Sequence, residues 1–142
     1  MKLRDIMTNQ VVRIHPEETV MTASRMLEHY NIGVLPVCGS DGRLCGVVTD
    51  RDIVTRCLAP GKDAGKTTVR DVMTAKVIVG RPDMDAAMAA GLMGREQIRR
   101  LPVMENGKLC GVVSIGDLAR SEETCMDAGD ALTEISSHLS SR

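Results

Sequence analysis

Phenylalanine and tryptophan are absent from this 142-residue chain, and Tyr30 is its one aromatic. Platforms that stack single-stranded bases are built from aromatic rings, so that mode of nucleic-acid binding is excluded. The net charge of −1 offers no bulk attraction to nucleic acid or to an anionic membrane. No stretch approaches the roughly 18 apolar residues of a membrane span. The opening "MKLRDIMTNQ" also lacks the apolar run of a secretory signal. These absences predict a cytoplasmic protein with reduced cysteines, whose odd number of five argues against a complete disulfide framework. HExxH, CxxC and other zinc spacings are missing, and His15, His29 and His138 stand scattered along the chain. GxGxxG and GxxxxGK[ST] phosphate loops are missing too. The reading is therefore of a chain with no metal centre, no cofactor and no catalytic residue. Its core must be aliphatic, with ten methionines as adaptable filling.

What the chain does have is a repeat. "LCGVVTDRD" at Leu44–Asp52 returns as "LCGVVSIGD" at Leu109–Asp117. "LRDIMT" at 3–8 returns as "VRDVMT" at 69–74, and "LPV" at 35–37 returns at 101–103, each 66 residues on. "HP" at 15–16 matches "RP" at 81–82. The offset shortens to 65 in the last phrase, because "CGSDGR" is one residue longer than "MENGK". A length change of this kind belongs at a hairpin tip. The chain is thus a tandem duplication.

Each copy reads β-α-β-β-α, and the fold class is α+β. "VVRI" and "VIV" are the first strands, β-branched and short. Thr19 and Asp85 are the expected caps of the following helices. Val20, Ala23, Met26 and Leu27 line the inner face in one copy, and Met88, Leu92 and Met93 in the other. "VLPVC" and "LPVM" form second strands, "GSDG" and "ENG" turns, and "LCGVV" a third strand covered on both faces. Cys45 and Cys110 are expected as small buried apolar residues. The boundaries drawn are 1–60 for the first repeat, 61–68 for a linker, 69–120 for the second repeat and 121–142 for a C-terminal helix and tail. Ala131, Leu132, Ile135 and Leu139 give that last helix its apolar spacing. One repeat alone buries little core, so the two are expected to pack about a pseudo-twofold axis.

Each repeated phrase ends with a hydroxyl residue three places before an aspartate, Thr49–Asp52 and Ser114–Asp117, where a strand turns into a helix. One reading is a capping box, although that motif favours the longer Glu or Gln. The other is a ligand site. A helix start suits phosphate, an aspartate accepts bonds from both hydroxyls of a ribose, and the Ser or Thr hydroxyl serves sugar or phosphate. Spacing alone leaves these two open. "RDIMT" and "RDVMT" read as short segments packing on the other repeat, with Thr8 and Thr74 as turn residues or cleft edges.

The paired repeats with "LPV", a hairpin and then "GVVTDRD" or "GVVSIGD" resemble a tandem CBS-domain pair, a Bateman module, over roughly residues 1–120. The resemblance implies a non-catalytic regulatory module that binds AMP, ADP, ATP or S-adenosylmethionine in clefts between the repeats. It implies that Asp117 and Asp52 hold the ribose, with Ser114 and Thr49 beside them, and that Arg100 meets the phosphates. The base would lie against Val12, Ile32, Ile78 and Ile98. It further implies a homodimer; with no effector domain in the repeats, output would run through a protein effector, through dimer rearrangement or through nucleotide buffering. The copies diverge here: Val34 stands where the second copy has Arg100, and Arg51, whose match in the second copy is Gly116, is a partial replacement. An arginine–phosphate bond contributes about 1.5–3 kcal/mol, so its loss would weaken binding ~10–100-fold. Unequal sites are expected. The plainer alternative for Arg99 and Arg100 is a solvated helix end. Two other functions fit the same chain: a ligand-free structural or interaction protein, and a redox-responsive signalling protein working through Cys38 or Cys45.

Overall fold

A computed structural model describes residues 1–140, and side chains through Ser137. The chain divides into two compact units, one of residues 12–77 and one of residues 1–11 together with 78–142. The first contains α1 (Val20–Tyr30), β1 (Val34–Cys38), β2 (Leu44–Thr49), α2 (Asp50–Ile53) and α3 (Val69–Val72). The second contains α4 (Ala86–Glu96), β3 (Arg100–Glu105), β4 (Lys108–Ser114), α5 (Ile115–Ala119) and α6 (Cys125–Ser140). No helix among the described residues is long and apolar enough to cross a membrane.

Each unit is built on an antiparallel hairpin, β1 with β2 and β3 with β4. Asn106 and Gly107 turn the second hairpin with φ of 55° and 78°, the left-handed conformations that a two-residue turn requires. Both hairpins carry a bulge, after Val37 and after Val103. Cys38 pairs with Leu44 and Val37 with Gly46, so Cys45 is the extra residue; Cys110 occupies the same place in the second hairpin. The bulge leaves both thiols half-buried rather than inside the core.

Of the expected first strands, "VVRI" shrinks to one bridge residue, Ile14, paired in parallel with Val37, and "VIV" has none, the bridge falling on the next residue, Gly80, opposite Val103. Ile14 N–H donates to Pro36 O at 3.0 Å, and Cys38 N–H to Ile14 O at 2.9 Å. Extending this ladder would need an N–H at position 36 for the Val12 carbonyl and one at position 16 for the Cys38 carbonyl. Both positions are proline, which has no N–H to give. Pro82 and Pro102 stand at the same two places of the second ladder, position 102 being the one whose N–H the register would give to Ile78 O.

On the other edge of each hairpin lies the segment that opens a repeat. In the first unit Val47 and Thr74 exchange backbone bonds of 2.9 and 2.8 Å; in the second, Thr8 and Val112 do so at 2.9 and 3.1 Å. Residues 1–11 therefore pack with 78–142, and residues 67–77 close the sheet of the unit that precedes them.

Thr19 and Asp85 cap α1 and α4, accepting from the N–H groups of Thr22 and Met88. Val20, Ala23 and Leu27 are buried as expected, with Met26 half-buried. The α4 face differs from expectation. Met93 is buried but Met88 is exposed, and the inner stripe runs through Ala86, Ala89, Ala90 and Met93. This stripe follows helical spacing through small residues, which lets α6 come close: a Cβ on Gly94 would lie 3.0 Å from Ala131 Cα. Ala128, Ala131 and Ile135 of α6 are buried there, Leu132 turns outward, and the side chain of Leu139 lies outside the described residues. The fully buried Leu3, Leu101, Val103, Val113 and Leu118 complete this aliphatic core. Val20, Leu35, Val37, Val48, Val69 and Val72 do so in the first unit.

Candidate functional site

The two hydroxyl-x-x-Asp motifs stand at helix starts that are built alike. Thr49 caps α2: Asp52 N–H donates to its Oγ1 at 3.0 Å, and Thr49 N–H donates back to Asp52 Oδ2 at 3.0 Å. Ser114 caps α5 with the reciprocal bonds, 3.0 Å from Asp117 N–H to Oγ and 2.8 Å from Ser114 N–H to Asp117 Oδ2. Aspartate thus closes a full capping box in each copy. This fixes each carboxylate at the end of a strand, with Oδ2 spent on the backbone and Oδ1 turned to other partners.

Those other partners distinguish the copies. Asp52 is buried, receives Thr74 Oγ1–H, and has Arg56 Nε at 3.9 Å. Arg56 in turn donates through Nη1 to the carbonyls of Val72 and Met73 at 3.1 and 3.0 Å. Asp117 is half-buried, and its Oδ1 is hydrogen-bonded and ion-paired by Arg120 Nη2. Arg56 and Arg120 carried no motif signal in the sequence. The clue was their spacing, four and three residues after the aspartate on the same helical face.

The register of β3 on β4 pairs Arg100 with Ser114, so the exposed arginine opens its strand directly across from the capping hydroxyl. α4 ends at Glu96, which puts Arg99 and Arg100 beyond the helix. Ile98 and Ile78 pack half-buried against the same core. The second unit thereby brings Ile78, Ile98, Arg100, Ser114 and Asp117 to one end of one hairpin. In the first unit Val34 pairs with Thr49 where Arg100 pairs with Ser114. Val12 and Ile32 pack against that core like Ile78 and Ile98. Arg51 is exposed on the first turn of α2, where its N–H meets Asp50 Oδ1 at 2.8 Å.

A hollow of about 480 Å³ lies elsewhere, at the turn of the β3–β4 hairpin between Arg4, Arg81, Asp83 and Glu105. It is at the opposite end of the hairpin from Ser114. Among the described residues no three His, Cys, Asp or Glu side chains gather as a metal site would need. Burial pushes the thiols of Cys38 and Cys110 up from the ordinary range, with Arg13 pulling Cys38 the other way.

Comparison with known proteins bears on both units. The family model for the CBS domain matches residues 3–59 and 69–123. The CBS domain-containing protein YhcV of Bacillus subtilis is 41% identical over 134 residues, 94% of each chain. The crystal structure of Hypoxic Response Protein I with two coordinated zinc ions superposes with a TM-score of 0.78 at 34% identity, covering 84% of this chain and 98% of that one. The CBS domain pair of protein MJ0100, solved in complex with 5′-methylthioadenosine and S-adenosyl-L-methionine, gives 0.73 at 28% identity, covering 84% and 94%.

Proposed function

The chain belongs to the CBS-domain family, as two such domains in tandem, and from that premise we propose that it senses an adenine nucleotide or S-adenosylmethionine through its second unit. Asp117 accepts the ribose hydroxyls, Ser114 lies beside the sugar, Arg100 meets phosphate or carboxylate, and Ile78 and Ile98 line the base. The observation that carries this reading is the pairing of Arg100 with Ser114, one turn from a carboxylate fixed at the same helix start. A second support is the Ile78 carbonyl. Pro102 cannot donate to it, so it stands ready for the exocyclic amino group of adenine. That MJ0100 was solved with two adenosine ligands supports the ligand class.

For the first unit a structural role is favoured. Asp52 is buried under Thr74 and Arg56, and Val34 stands opposite Thr49. Thr49, Asp52, Arg51, Val12 and Ile32 would form at most a weaker site. The redox reading has less behind it, since burial pushes the Cys38 thiol up, away from the reactive thiolate, with Arg13 opposing. The module reads a ligand without transforming it, works as a cytoplasmic homodimer, and passes its signal to a protein effector.

The test is thermal unfolding with and without millimolar AMP, ADP, ATP and S-adenosylmethionine. A ligand at one hundred times its Kd adds about 2.7 kcal/mol. The rise in Tm should appear with at least one of them and vanish in Asp117→Ala. No rise with any of the four overturns the proposal.

A further inference from the structure

We propose that Arg120 is a built-in competitor at the sensing site, occupying the aspartate oxygen that the ligand's diol must take. The inference rests on the reading of Asp117 as the ribose acceptor. Of the two Asp117 oxygens, Oδ2 is committed to Ser114 N–H at 2.8 Å. Oδ1 is the one left for a ligand, and Arg120 Nη2 is bonded to it.

The guanidinium folds back over the first turn of α5, where a Cβ placed on Gly116 would touch Arg120 Nη1 at an ordinary 3.6 Å. A long side chain at that position would contest the same space. The matching residue of the first repeat is Arg51, and Asp52 there is covered instead by Thr74 and Arg56.

Exposure identifies which partner yields. The Arg120 side chain is 74% exposed and Asp117 only 14%, so the arginine can swing into water while the carboxylate stays locked in its capping box. An exposed pair of this kind is weak and screened by salt, which suits a contact that must be exchanged. Two ribose hydroxyls donating to the carboxylate replace the N–H donor it loses. The first unit has no equivalent. Arg56 is tied by two bonds to the carbonyls of Val72 and Met73, and Thr74 adds a donor to Asp52. Its aspartate is closed by a fixed frame.

The experiment uses uncharged probes, so that attraction between Arg120 and phosphate does not enter. Adenosine and 2′-deoxyadenosine are titrated calorimetrically into wild type, Arg120→Ala, Arg120→Gln and Asp117→Asn, each checked for folding by circular dichroism. Removing the arginine should tighten adenosine about two- to five-fold, the range that an exposed ion pair corresponds to. The deoxy probe, lacking one hydroxyl of the diol, should not respond. Added salt should tighten adenosine binding to wild type and leave Arg120→Ala unchanged. Unchanged or weaker adenosine binding in both arginine variants, with Asp117→Asn inactive, overturns the competitor and leaves the nucleotide reading standing. If Asp117→Asn binds as wild type does, or no protein binds either probe, the reading of Asp117 falls and the competitor with it.

Discussion

Thr74 Oγ1 stands 3.3 and 3.4 Å from the two carboxylate oxygens of Asp52, joining the segment that opens the second repeat to the helix start of the first. Thr8 holds the matching backbone position beside Val112 but makes no side-chain hydrogen bond among the described residues. The same motif therefore serves two ends. In the first unit the aspartate gathers an N–H, a hydroxyl and a guanidinium; in the second it holds one N–H and one exposed arginine.

The two aspartates should differ in what their loss costs. Asp52→Ala removes the back half of a capping box, leaves Thr74 without its acceptor and takes from Arg56 its ion-pair partner. The expected loss is about 2–3 kcal/mol, since hydrogen bonds to a charged group contribute more than neutral ones. Asp117→Ala removes only the capping contribution and an exposed pair, about 1 kcal/mol. Urea denaturation of both variants decides the matter, and equal losses would contradict the asymmetry.

The glycines of the two "CGVV" phrases are predicted to be unequal as well. A Cβ on Gly46 would overlap the carbonyl oxygen of Thr74, a backbone atom held by the paired bonds to Val47. A Cβ on Gly111 would meet Met7 Sδ at 2.6 Å and Thr8 O at 3.1 Å, and the methionine can turn aside. Gly46→Ala should cost about 3 kcal/mol or more and Gly111→Ala about 1–2. Calorimetric Tm values of the two variants give the order, and a costlier Gly111→Ala would refute it.

Stability should fall on the alkaline side. Burial is the main cause that raises the Cys38 thiol; Cys45 and Asp41 push with it, and Arg13 opposes. Burial, then Glu105, raises Cys110. A raised value means that the folded protein keeps its proton where the unfolded chain releases it. The contribution is whole below the unfolded thiol value, about pH 8.5, and is lost as pH rises through the folded value. The urea midpoint should hold between pH 7 and 8 and then decline. Cys38→Ala should flatten that decline, and an identical slope in the variant would assign it to other groups.

How much of this was readable in advance depends on the kind of information each residue carries. The duplication, the caps Thr19 and Asp85, the hairpins and the Ser114–Asp117 spacing are local patterns, and local chemistry produces them. The exposed Met88 was misplaced because three alanines supply the true α4 stripe, and alanine has too little apolar weight to stand out. The partners of the aspartates were readable only in part. Arg56 and Arg120 stand four and three residues past the aspartate on the same helical face, a spacing the letters display. Thr74 reaches Asp52 from 22 residues away, through packing of distant segments that periodicity does not encode.

The prolines, by contrast, were visible as letters but not as a mechanism. Pro102 and Pro82 flank the one parallel bridge found in the second unit among the described residues, and Pro36 and Pro16 that of the first. Each removes the donor for the next rung, so the ladder ends after Gly80 or Ile14 and the carbonyls of Ile78 and Val12 remain without a ladder partner. Pro102→Ala restores an N–H aimed at Ile78 O. A new backbone bond contributes about 1 kcal/mol, roughly offsetting the lost proline rigidity, so stability should change little. The amide at position 102 should become protected in hydrogen exchange. With Ile78 O drawn into the ladder, adenine-nucleotide binding should weaken several-fold, while Pro36→Ala leaves it unchanged. If Pro102→Ala gains the protected amide yet binds nucleotide as before, the base is held by some group other than that carbonyl.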